Sequence, residues 1–284
     1  MVLVLKFKIS ISVCRCENMT DIYIIRGGFF GWEFTHKLLY VIFGLILCIY
    51  DWKKNKRKDY FWVVVFGTLL YIGSEMMLYF FKGRIMQQKL LFGIDISSMF
   101  WLWIPLLSMG DVVMLAVITI FFADRIREAE TRKKWSILFI IWLVCRDVIP
   151  YLIFFSLGYR FDTVPDGYDL IYSRRNMTET GTLISLSLFV VISVVWLIRT
   201  NKKARKRGLY MIGVMIILMT VWSFGEWFSG QRWIEVGLEG GPWTHAPPFL
   251  EFGIFVYDIV IEMGLFTLCF LAIPSIFKLI KSEK

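Results

Sequence analysis

Apolar residues in this chain fall into long, nearly unbroken blocks, separated by short clusters of lysine and arginine. They show neither the alternation of a half-buried strand nor the one-sided stripe of a soluble helix. The pattern predicts helices over Trp32–Trp52, Tyr60–Phe81, Met99–Ala123, Trp135–Gly158, Gly181–Ile198, Leu209–Phe228 and Phe249–Ile273. About 20 apolar residues suffice to cross a bilayer at roughly 1.5 Å per residue, so each block qualifies as a span. The expected fold is an all-α integral membrane protein, a seven-transmembrane-helix bundle. The ten-residue alternating segments of a membrane β-barrel are absent.

Residues 1–28 do not fit this pattern. Val2–Val13 is too short to span, is interrupted by Lys6 and Lys8, and lacks the core and cleavage site of a signal peptide. This stretch is expected to be an N-terminal extracytoplasmic segment, with Met19 as an alternative start. Residues 29–284 are then a single membrane domain. Its polar connections include Tyr159–Thr180 and a Gly/Pro/Trp-rich loop, Ser229–Pro248, readable as an interfacial aromatic belt or as a lid.

Composition agrees with the membrane reading, at 57% hydrophobic and 18% aromatic; a soluble domain is nearer 45–50% apolar. The net charge of +9 does not point to nucleic acid, because the cations lie in short loops beside the spans. The connections after the first, third and fifth spans, with the C-terminal tail, carry 19 Lys or Arg against 11 on the other side. The bias predicts an N-terminus outside and a C-terminus in the cytoplasm, with anionic headgroups at the cytoplasmic basic loops. The sequon at Asn176 then lies outside, as does one at Asn18 if the chain starts at Met1.

The chain also looks internally duplicated. Lys53-Lys-Asn-Lys-Arg before the second span matches Lys202-Lys-Ala-Arg-Lys before the sixth, Glu75 matches Glu226, and Asp111 matches Asp258, at offsets of 149, 151 and 147 residues. This predicts a parallel 3+1+3 arrangement, with repeat A at 29–124, a linker helix at 134–158 and repeat B at 178–280.

The chemistry is expected inside the spans. Glu75, Asp111, Asp147, Glu226, Asp258 and Glu262 are set there against Arg146. Glu251, Asp258 and Glu262 follow an i, i+7, i+11 spacing that puts them on one helix face. Six unsatisfied acids would cost roughly 15–20 kcal/mol on insertion scales, beyond a typical stability margin of about 5–15 kcal/mol. They must therefore share protons, pair or reach water. With Glu33 and His36 at the outer end of the first span, they suggest a funnel opening outward and attractive to cations. Arg146 is expected to reach an acid on the third or seventh span, since adjacent helical residues do not face each other.

No cofactor fingerprint is present, and the cysteines and histidines show no metal-site spacing. Phe249–Ile273 has no lysine of the kind a retinal-binding rhodopsin needs. Three functions follow as expectations: a transporter of protons, cations or a small amine-like solute; a membrane-embedded enzyme using carboxylate acid/base chemistry on a lipid or isoprenoid; or a seven-helix receptor or sensor. All three take a small-molecule or ion ligand.

Overall fold

The computed structural model describes residues 21–27, 33–86, 89–156, 171–237 and 243–280. Seven helices are long and apolar enough to cross a membrane: α1 (Phe34–Asn55), α2 (Asp59–Phe80), α3 (Phe100–Ile126), α4 (Arg132–Ile153), α5 (Thr180–Arg199), α6 (Lys202–Phe228) and α7 (Pro248–Ile276). They make a multi-pass helical bundle. Its centre is α3, whose most apolar window is 94% buried, whereas α4 lies at the edge with 17% buried. On α4, Ile137, Ile140, Ile141 and Leu152 point outward, as a lipid-facing helix requires.

The predicted spans are present, with shifted ends. The largest shift is in α6, which begins at Lys202 rather than Leu209. The Asn201 side chain accepts a hydrogen bond from the Ala204 N–H at 2.9 Å and so caps the helix before its basic turn. Lysine and arginine are good helix formers, and nothing in that turn stops the helix. The α7 helix runs through Pro274 to Ile276. α1 gives way to α2 through Lys56, which takes a left-handed φ of 54°.

What was not anticipated is a five-stranded antiparallel sheet across one end of the bundle. Its strands are β1 (Asp21–Gly27), β2 (Arg84–Met86), β5 (Ile171–Asn176), β6 (Arg232–Gly237) and β7 (Trp243–His245), in the order β2-β5-β1-β6-β7. A two-stranded hairpin, β3 (Leu90–Leu91) and β4 (Ile94–Asp95), lies beside it. The segments expected to be loops at this end are therefore strands. The Ser229–Pro248 segment supplies β6 and β7, and Trp233 is buried in the sheet instead of lying in an aromatic belt. Residues Gly240, Gly241 and Pro242 lie outside the described residues, as do Asn18 and most of the N-terminal segment.

Register decides which side chains the sheet turns toward the helices. β1 pairs β5 with Ile24 opposite Arg175 and Arg26 opposite Ser173. β1 pairs β6 with Arg26 opposite Arg232, and β2 pairs β5 with Arg84 opposite Arg175. Directly opposed residues share a face, and alternate residues change face. Arg26, Arg84, Arg175 and Arg232 therefore all lie on the bundle side, one from each of four strands. The outer face carries Tyr23, Ile25, Arg174, Trp233 and Glu235. There Arg174 sits 4.3 Å from both the Tyr23 and Trp243 rings and bonds Glu235 at 3.1 Å.

Asn176 ends β5 with its side chain enclosed. Its amide donates to the Tyr23 hydroxyl at 3.3 Å, and its carbonyl accepts from the Thr178 N–H at 2.9 Å. A glycan on that amide is incompatible with this packing.

α1 and α3 approach closely at Gly110, where an added Cβ would lie 2.7 Å from the Lys37 Cβ and 3.0 Å from its Cα. Gly110→Ala is expected to destabilise the protein by about 1–3 kcal/mol through overpacking. The control is Gly213→Ala on α6, where the added methyl meets nothing within 4 Å. Thermal unfolding in detergent should show a lower midpoint for the first variant and an unchanged or higher one for the second.

Candidate functional site

Each acid expected inside the spans has a cationic partner, and most of the partners come from the sheet. Arg232 on β6 bonds Asp258 at 2.6 Å and Ser223 at 2.9 Å, and lies 3.5 Å from Glu226. Arg26 on β1 reaches the same Glu226 oxygen at 3.4 Å. Arg175 on β5 grips Glu262 through both terminal nitrogens, the second at 2.8 Å, and lies 3.6 Å from Asp258. Arg84 on β2 bonds Glu75 at 2.5 Å. Asp111 on α3 is held by Lys37 of α1, a buried cation outside the set expected from the sequence.

Among the described residues, π-helical turns adapt the spans to this network at Val113–Val117 in α3, Val144–Val148 in α4 and Asp258–Leu265 in α7. Such turns insert extra backbone into a helix and rotate the residues after them. One consequence corrects an expectation. Arg146 does not reach α3 or α7; its Nε bonds the neighbouring Asp147 at 2.8 Å. Both residues lie in the α4 π turn, where the ordinary angular spacing no longer holds. The guanidinium also lies 4.6 Å from the Trp142 ring and 5.2 Å from Trp222. Trp222 in turn donates to Glu226 at 2.7 Å.

Glu251 stands apart from the network. It accepts the Ile234 N–H at 3.1 Å and so serves the edge of β6, not the stripe continued by Asp258 and Glu262. His36 is exposed and takes no part in the cluster, and the Glu33 side chain lies outside the described residues. The expected funnel is thus closed over by the sheet, and its acids are paired.

Between the sheet and the helices lies a small chamber of ≈ 40 Å³. Among the described residues that line it, Arg26, Lys37, Arg84, Arg175 and Arg232 are cationic, and Asp111 alone is acidic. The other acids sit behind these cations. A second compartment of ≈ 40 Å³ shares Arg175 with the first and adds Glu75, Glu262, Ser74, Thr182 and Ser185. Ser74 and Ser185 are joined by a 2.7 Å hydrogen bond between α2 and α5.

The opposite end of the bundle holds a second buried network, built from residues at the ends of the spans and in their basic connections. Arg207 bonds both oxygens of Asp124, each at 2.7 Å, and Asp59 at 2.8 Å. Arg57 bonds Asp51 at 3.2 Å, and the Tyr60 hydroxyl donates to Asp124 at 3.2 Å. Lys and Arg beside a span are expected as topology markers, so their presence alone does not reveal these pairs. Their available signal was the acids interleaved with the cations: Asp51, Asp59 and Asp124.

Among the described residues, no group of three or more His, Cys, Asp or Glu is arranged to hold a metal ion. No protein-family model, curated protein or solved structure matches this chain.

The pairing predicts a clear stability signature. Arg232→Gln takes from Asp258 its 2.6 Å partner and leaves it only Arg175, at 3.6 Å and shared with Glu262; the loss is expected to reach about 3 kcal/mol, the low end for breaking a buried pair. Adding Asp258→Asn removes the under-compensated charge and should recover most of that loss. A double-mutant cycle by thermal or chemical unfolding checks it; independent, additive losses would contradict a direct ion pair.

Proposed function

We propose that this multi-pass protein is a carrier that takes an anionic group into the chamber between helices and sheet. The observation that carries the reading is the chamber's lining: five cations against Asp111, with the remaining carboxylates behind them. Fixed guanidinium groups in a site shielded from water favour a carboxylate or phosphate, which they can bind with paired hydrogen bonds. The sequence suggested a proton, cation or amine as solute. The arginines reverse the sign of the surface a ligand meets. The acids take a supporting part, holding the arginines in the apolar interior and accepting them back when the ligand leaves.

A parallel duplication fits this reading. Arg26 and Arg175 lie 149 residues apart, and Arg84 and Arg232 lie 148 apart, close to the offsets of the Glu75/Glu226 and Asp111/Asp258 pairs. The pairing of β2 with β5 also repeats as the pairing of β6 with β1: Arg84–Arg175 corresponds to Arg232–Arg26, and Ile85–Arg174 to Trp233–Ile25. A pseudo-two-fold axis through the Ile25–Arg174 pair relates the two halves, with α4 as the linker. Two halves about an axis along the membrane normal suit alternating access by rocking. In the proposed orientation the sheet end is outside, and the basic α1–α2 and α3–α4 connections are cytoplasmic.

A second reading is a membrane-embedded enzyme acting on an anionic lipid headgroup. One observation favours it: the β1–β5 ladder joins the two proposed halves by backbone hydrogen bonds, which opposes rocking.

The test is Arg175→Gln combined with Glu262→Gln. The double variant keeps side-chain volume and a hydrogen bond but removes both charges, so stability should fall by less than about 1–2 kcal/mol. Anion uptake into proteoliposomes should fall at least about tenfold, equivalent to about 1.4 kcal/mol of lost binding. Uptake equal to wild type would sink the carrier reading; lipid turnover without uptake would establish the second.

A further inference from the structure

The cations that line the chamber and the acids that hold them balance in charge. Arg26, Lys37, Arg84, Arg175 and Arg232 stand against Glu75, Asp111, Glu226, Asp258 and Glu262, and every one of them is paired. A lone anion added to such a cluster would leave one buried negative charge uncompensated. An anion therefore enters only if a proton enters with it, taken up by one of the acids.

The chamber's ≈ 40 Å³ limits what that anion can be. Roughly 10–15 Å³ is needed for one water molecule, so the space suits an inorganic anion of halide size. A donor stands ready for it. Arg232 lines the chamber and is 1% exposed, and its Nε makes no hydrogen bond. Its two terminal nitrogens are engaged with Ser223, Glu226 and Asp258. A buried N–H without a partner is costly, and an anion in the chamber would supply one.

Arg175 marks where the proton goes. It lines both the chamber and the second compartment, whereas Glu262 lines the second compartment and not the chamber. When Arg175 turns toward an anion, Asp258 keeps Arg232 at 2.6 Å. Glu262 loses the guanidinium that grips it with two hydrogen bonds. The groups that face Glu262 are Arg175 of β5, Asp258 and Tyr257 of α7, and Glu75 and Tyr71 of α2. α5 adds the hydroxyls of Thr182 and Ser185. With Arg175 withdrawn, the charged members of this set are acids, and like charge opposes a charge on Glu262. The second compartment, at ≈ 40 Å³ and lined by those hydroxyls, has room for the water that delivers the proton.

We propose that the chamber binds a small inorganic anion of halide size together with one proton, the anion on Arg232 and Arg175 and the proton on Glu262. This rests on reading the chamber as an anion site, and it narrows that reading to an inorganic anion moved with a proton. The two added charges cancel, so the cluster is balanced both empty and loaded.

The experiment adds potassium chloride, against potassium gluconate, to the detergent-purified full chain in weak chloride-free buffer near neutral pH. Calorimetry reads binding and a pH electrode reads protons. Wild type should bind chloride and not gluconate, and should take up about one proton per chloride. Its apparent chloride affinity should fall about tenfold per pH unit wherever Glu262 is charged in the unloaded protein, as one linked proton requires. In Glu262→Gln chloride should bind with no proton and with an affinity that ignores pH. Glu251→Gln, a carboxylate outside the network, should take up protons as wild type does. Chloride binding without a proton, or with the wild-type proton in Glu262→Gln, overturns the coupling. Gluconate binding as tightly as chloride overturns the size limit, and no chloride binding overturns the site. If Glu262→Gln folds poorly, the wild-type proton count decides by itself. Proteoliposomes separate this inference from the carrier reading. Chloride uptake that acidifies the lumen supports both. Proton-linked binding without uptake retires the carrier and leaves the site. Uptake without acidification overturns the coupling and leaves the carrier.

Discussion

A carboxylate buried among apolar helices must find a counter-charge or give up its own, and here much of the counter-charge comes from outside the helices. Arg26, Arg84, Arg175 and Arg232 reach the bundle from four different strands and meet Glu75, Glu226, Asp258 and Glu262. Arginine suits the task because its guanidinium stays charged and bonds two oxygens at once. A sheet suits it because strand periodicity turns alternate side chains to one face, and the ladder satisfies the backbone without water. Like charges directly opposed across a sheet, as Arg26 and Arg232 are, are unfavourable on their own. They stand because the acids lie beneath them, so the sheet and the helix acids each require the other.

The same requirement shapes the helices. The π turns of α4 and α7 contain Arg146, Asp147, Asp258 and Glu262, and the α3 turn starts two residues after Asp111. Gly110 lets α1 lie close enough for Lys37 to reach Asp111. At the opposite end, Arg207, Asp59 and Asp124 tie α6, α2 and α3 together. Between these two polar fastenings runs an apolar core that includes Val112, Met215, Leu218 and Phe270. The chamber therefore lies under the sheet and is backed by packed apolar side chains.

Some of this was legible beforehand. The seven spans were, because a run of apolar residues needs no partner to be recognised. The buried acids were legible for the same reason, as isolated exceptions within such runs. Arg146 and Asp147 were found, but their pairing was misjudged because a π turn leaves no local mark in residue type. Lys37 was passed over because it lies one turn inside a span, where a lysine reads as an end marker. The strand arginines were the main omission. Arg232-Trp-Ile-Glu-Val does not alternate polar and apolar residues, and the one mark these arginines leave is that Arg26 and Arg175 lie 149 residues apart, close to the 151 of Glu75 and Glu226. Strands of three to seven residues flanked by spans nevertheless read as loops.

What the residue order determined by itself is the membrane-spanning helical architecture and the presence of charge within it. Both follow from the cost of moving a side chain from water to hydrocarbon, a property each residue carries wherever it sits. What only the tertiary structure decided is the partner of each charge, and with it the sign of the chamber. The sheet aligns residues 21–27, 84–86, 171–176 and 232–237, which lie far apart along the chain. Shifting any one of those strands by a single residue would turn its arginine to the other face. A cluster of acids open to cations and a cationic chamber backed by acids can be written with the same residues, and strand register chooses between them.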